Sequence, residues 1–126
     1  MAPVVGWLAE ALGRTGRFAA ELRVVEVAIA LERMYEINER GISRHLQDKI
    51  SRVLGTDDES RERIKVKVKE FYNARSEIVH GKRDKMSPLR TDAAFYKGFR
   101  IARQSVFKLL SEGAPEDWNA LKGDGD

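Results

Sequence analysis

The chain has 126 residues, the length of one compact domain, with 34% charged and 42% apolar side chains, which excludes a disordered tail. It has no cysteine and two histidines, which excludes disulfide scaffolds, thiolate metal sites and histidine-rich centres, and it carries no glycine-rich phosphate loop. The formal charge is +3, unevenly spread: residues 61–100 hold 12 basic against 5 acidic side chains, while both flanks are net negative.

In chain order, the opening MAPVVGWLAEALGR lacks the basic flank and cleavage site of a signal peptide, and no apolar run is long enough to span a bilayer. A cytoplasmic, membrane-free protein is the expectation. Residues 1–17 form an extension with a short helix over Val5 to Leu12, ending near Gly13. The next helix runs from about Phe18 to Asn38, with Leu22, Val25, Ala28, Ile29, Leu31 and Tyr35 apolar. A third covers Ile42 to Leu54, with a stripe of Ile42, Leu46, Ile50 and Val53 and a stop at Gly55. Thr56, Asp57 and Asp58 supply an N-terminal signal for a fourth helix, which passes through Arg61 and closes at His80-Gly81.

Within that helix, Ile64-Lys65-Val66-Lys67-Val68-Lys69 alternates as a strand would. Ile64, Val68, Phe71, Arg75 and Ile78 recur at helical spacing over the longer window, and a lone strand has no partner here, so helix is expected. Lys82 to Arg90 reads as a basic loop. The last helix spans Thr91 to Ser111, with Phe95, Phe99, Ala102, Val106, Leu109 and Leu110 on its core face. Tyr96, Arg100, Arg103 and Phe107 fall outside that face as an aromatic and basic patch, which suits a partner surface or a packing face for the N-terminal helix. A short turn and polar tail occupy 114–126. The fold class is all-α: an up-and-down bundle of four main helices over 18–113, with the short N-terminal helix added.

Two charged positions interrupt apolar faces. Arg75 falls in the stripe of Ile64, Val68, Phe71, Ile78 and Val79, and Glu32 and Glu36 interrupt the face of Leu22, Val25, Ala28, Ile29 and Tyr35. Opposite charges on two apolar faces suit either a buried Arg75–Glu32 ion pair that holds register or an acid that orients a catalytic arginine. Five residues after Arg75 stands His80, at the helix end where the dipole favours a cation. With the basic loop (Lys82, Arg83, Lys85) beside it, this set can bind phosphate and move protons. His45 reads as an ordinary surface histidine.

Phe71-Tyr72-Asn73-Ala74-Arg75-Ser76-Glu77-Ile78-Val79-His80-Gly81 resembles the signature of the HEPN superfamily, an arginine and a histidine four to six residues apart at the end of a long helix. The form R-S-x-I-V-H-G, after a helix carrying Ala30-Leu31-Glu32, resembles the Apea-like HEPN group, over roughly residues 20–112. The resemblance implies a helical bundle that dimerises so that two such motifs face a shared cleft. Many members are endoribonucleases that need no metal or other cofactor, in toxin–antitoxin or phage-defence systems; others are non-catalytic modules that bind a nucleotide or a protein. Carried onto this chain, the catalytic pair is Arg75 and His80, with Asn73 and Ser76 as substrate-contacting neighbours and Glu32, Lys82 and Arg83 in support. The implied partners are RNA or a nucleotide, a second copy of the chain, and an antitoxin protein.

Overall fold

A computed structural model describes residues 17–37, 40–81 and 87–113. These form an all-α bundle of four helices: α1 (Arg17–Met34), α2 (Ile42–Leu54), α3 (Asp58–Val79) and α4 (Pro88–Glu112). The helix expected over 5–12, the loop residues 82–86 and the turn and tail over 114–126 lie outside the described residues.

The ends of the helices follow from local chemistry. The helix α2 has the expected bounds, with Gly41 at φ 74° before it and the Gly55 amide bonded back to Ser51 O at 2.8 Å after it. Asp57 and Ser60 form a reciprocal capping box on α3: the Asp57 carboxylate accepts from the Ser60 amide at 2.7 Å, and Ser60 Oγ accepts from the Asp57 amide at 3.1 Å.

Two boundaries differ from the sequence expectation. The first helix stops at Met34 rather than Asn38, because Glu36 turns left-handed (φ 54°). The Ile37 amide then bonds to Glu32 O at 2.9 Å and the Glu36 amide to Arg33 O at 3.3 Å, a Schellman closure without glycine. The last helix begins at Pro88 rather than Thr91. Ser87 caps it by accepting from the Arg90 amide at 3.1 Å, and proline fits the first helical position, so Ser87-Pro88 is a helix start rather than loop.

The residues 64–69 are helical, with Val68 buried and Val66 exposed. The core is built from Val24, Val27, Leu31 and Tyr35 of α1, Leu46 and Ile50 of α2, Phe71 of α3 and Phe95 and Ala102 of α4. Of the face expected on α1, Ala28 and Tyr35 are buried, whereas Leu22, Val25 and Ile29 are only half-buried. Leu110 and Val79, expected in the core, are 63% and 50% exposed, each near a helix end. α1 packs mainly along α4, and α2 along α3.

The junction of α3 and α4 is close. A Cβ on Gly98 would meet Phe71 Cε1 at 2.2 Å, so only glycine lets the Phe71 ring lie on the α4 backbone. Across α1 and α4, the buried Tyr35 hydroxyl bonds to Ser105 Oγ at 2.6 Å.

Candidate functional site

The C-terminal half of α3 holds the sequence-predicted residues. Arg75 follows the buried Phe71, Tyr72 and Ala74 and is itself half-buried, and its Nε is shielded from water with no hydrogen-bond partner among the described residues. No ion pair joins it to Glu32, so the expected Arg75–Glu32 bridge is absent. Glu32 Oε2 accepts instead from the Tyr72 hydroxyl at 3.2 Å, and the same hydroxyl reaches Ala28 O at 3.1 Å. The tyrosine is closer in kind to what the carboxylate needs in a half-dry setting, a neutral donor that brings no second charge to desolvate.

The three groups still feel one another. Burial, then the Glu32 carboxylate, raises the Tyr72 phenol well above its ordinary value, while the Arg75 charge works in the opposite direction. Tyr72 is therefore a neutral hydroxyl. Sequence reasoning missed its role, although it stands one turn after Val68 on the inner face, where a buried hydroxyl has to find an acceptor.

His80 is the C-cap of α3 and is exposed. Its amide keeps the α-helical bond to Ser76 O at 2.9 Å, and Gly81, left-handed at φ 74°, bonds to Ile78 O at 3.1 Å. The last turn is thus regular, and Arg75 and His80 leave the helix about 140° apart. The two side chains are not hydrogen-bonded to each other within one chain. No basic side chain occupies the last turn, so the negative end of the dipole faces His80.

The other expected residues are placed as follows. Asn73 is exposed and opens on a shallow depression of about 260 Å³ between α3 and α4, beside Arg90 and Lys97. Ser76 is half-buried, its carbonyl holding the His80 amide. Lys82 and Arg83 lie outside the described residues. A contact not foreseen from sequence is the ion pair of Arg90 Nη1 and Glu77 Oε2 at 2.8 Å, which ties the motif helix to the first turn of α4. Glu32 also lines an open depression of about 540 Å³ with Ile29, Arg33, Glu36 and Ile37. It continues the half-buried face of Leu22, Val25 and Ile29 along α1.

Among the described residues no group of three His, Asp or Glu side chains is placed to hold a metal ion, and no helix is long and apolar enough to cross a membrane. Comparison of the chain with family models, curated proteins and solved structures gives no match.

Proposed function

We propose that this chain is a metal-independent endoribonuclease of the HEPN type, an enzyme that cleaves RNA to 2′,3′-cyclic phosphate and 5′-OH ends in a toxin–antitoxin or phage-defence setting. The observation that carries the reading is the pair at the end of α3: an arginine without a carboxylate partner among the described residues, and an exposed histidine at the helix terminus. An uncompensated guanidinium in a half-dry position is suited to meeting phosphate oxygens with two parallel hydrogen bonds.

In this mechanism the 2′-oxygen attacks the adjacent phosphorus as a base removes its proton. Negative charge then builds on the phosphoryl oxygens, where Arg75 donates. The bond from phosphorus to the 5′-oxygen breaks as an acid protonates that oxygen. An imidazole suits either proton transfer, its ordinary pKa being near neutral. One chain has one such histidine, and it points away from its own Arg75. A two-fold dimer supplies a second His80 and lets Arg75 of one copy work with the imidazole of the other. The half-buried face of α1 that ends at Glu32 is the surface such a dimer would use.

Structured RNA incubated in EDTA with wild type and with His80→Ala tests the reading. Wild type should give cyclic phosphate and 5′-OH ends, and the variant none. A folded wild type that cleaves nothing would leave the second reading, a non-catalytic module that binds a nucleotide or protein through the same residues. The divergence of Arg75 and His80 within a single chain favours that reading if the protein proves monomeric.

A further inference from the structure

Away from the α3 terminus, a cleft of about 390 Å³ opens between the N-terminal half of α3 and the middle of α4. Its apolar wall is Leu54, Ile64 and Ile101, and its rim carries Lys67, Lys97 and Arg100 with no acidic side chain among the lining residues. Lys97 is engaged by the Glu70 carboxylate. Among the described residues, Lys67 and Arg100 have no carboxylate partner. Tyr96 stands at the edge, 65% exposed, and the exposed Gln104 lines the cleft.

We propose that this cleft binds a nucleotide, with the base against Tyr96 and the apolar wall and the phosphate on Lys67 and Arg100. Two uncompensated cations beside an apolar wall call for a ligand with a flat apolar body and an anionic group. A ring at the edge provides a stacking surface, which a base can use whatever its identity. The Gln104 amide, both donor and acceptor, matches the edge of a base. The volume suits one nucleotide unit and is too small for a docked helix. Lys67 precedes Arg75 by eight residues, about 12 Å along the helix axis, so the cleft is a separate site.

Such a nucleotide is either free or one unit of a single strand. The inference does not rest on the ribonuclease reading, since it concerns binding at Tyr96 and not cleavage at His80.

The full chain is titrated with AMP, with inorganic phosphate, and with a labelled six-residue RNA whose riboses are 2′-O-methylated and resist 2′-OH attack. Binding is read by anisotropy for the RNA and by amide shifts of Ile64 and Ile101 for all three. AMP or the RNA should shift these amides. Tyr96→Ala and, separately, Arg100→Glu should each weaken binding about tenfold or more, Tyr96→Phe should retain it, and higher salt should weaken it. RNA binding at least tenfold tighter than AMP identifies the strand as the source; equal affinity identifies the free nucleotide. Failure of both probes to shift the cleft, unchanged affinity in Arg100→Glu, or a phosphate response equal to that of AMP overturns the proposal. Because Tyr96 and Arg100 are exposed, circular dichroism of these variants should match wild type.

Discussion

The two ends of α3 are built differently. At the N-terminus a capping box of Asp57 and Ser60 closes the helix, Asp58 and Glu59 stand in the first turn, and Arg63 pairs with Glu59 at 3.1 Å. At the C-terminus the cap is backbone only, Val79 is half in water, Arg75 has a buried nitrogen without a partner, and His80 is exposed. The first end closes its backbone amides with side chains and the second does not, while each carries one arginine Nε, that of Arg61 and that of Arg75, buried without a hydrogen-bond partner among the described residues. Unanswered groups carry a cost in the free protein, and a ligand that meets them recovers it, which is the role proposed for Arg75.

The largest test of this contrast is in activity. His80→Ala should reduce RNA cleavage at least about 100-fold, the range for loss of a general acid or base, with little change in thermal unfolding. Asp57→Ala should leave cleavage per folded molecule unchanged. An Asp57 variant as inactive as the His80 variant would show that the two ends are not separable.

Next in size is the fulcrum between them. Gly98→Ala drives a methyl to 2.2 Å from the Phe71 ring and should destabilise the bundle by about 1–3 kcal/mol in denaturant titration. A stability near wild type would mean that α4 shifts freely against α3. Alkaline pH probes the same core. Burial raises the Tyr35 phenol from 10.0 to about 12, the bond to Ser105 opposing in part. The folded state therefore keeps a proton that the unfolded chain loses. Its contribution is intact below pH 10 and disappears as pH rises through 12, with Tyr72 shifted in the same direction. Denaturant midpoints should fall over that window, and less steeply in Tyr35→Phe.

A smaller effect is expected at the capped end itself. Asp57→Ala removes the acceptor for the Ser60 amide and should destabilise the bundle slightly, seen as a lower melting temperature. The Asp57 carboxyl is held below its usual pKa, by the Ser60 amide first, so this contribution is present at neutral pH and is lost as pH falls into the carboxylate range.

What the sequence discloses follows from how local each signal is. The bounds of α2 are legible because glycines flank it, and the strand-like residues 64–69 resolve as helix because a 15-residue period outweighs a six-residue alternation. The end of α1 is not legible, since a left-handed glutamate leaves no mark in composition. The apolar positions of α1 are legible, but which of them turn inward is decided by the neighbouring helices. The exposure of Tyr96, Arg100, Arg103 and Phe107 follows from helical angle alone, and the structure places all four outside the core. The partner of Glu32 is a choice between Tyr72 and Arg75, less than one turn apart on one helix, and only the packing of α1 against α3 decides it. The identity of Arg75 and His80 as candidates comes from their spacing, whereas their divergence is visible only once the last turn is known to be regular.

The smallest effect is the most diagnostic of the open end. If Arg75 were held by Glu32, its removal would strand a half-buried carboxylate and cost several kcal/mol. Tyr72 already satisfies that carboxylate, and the Arg75 Nε is buried without a partner. Arg75→Met keeps the unbranched stem, removes the unanswered nitrogen and leaves Glu32 its hydrogen bond. Its unfolding free energy should lie within about 1 kcal/mol of wild type, on the stable side if the buried nitrogen dominates. Cleavage should meanwhile be lost, and Arg75→Lys should not restore it, because an ammonium cannot make the two-pronged phosphate contact. A loss of 3 kcal/mol or more in Arg75→Met, about that of breaking a buried ion pair, would mean that Arg75 and Glu32 are coupled after all and that the arginine serves the fold rather than a ligand.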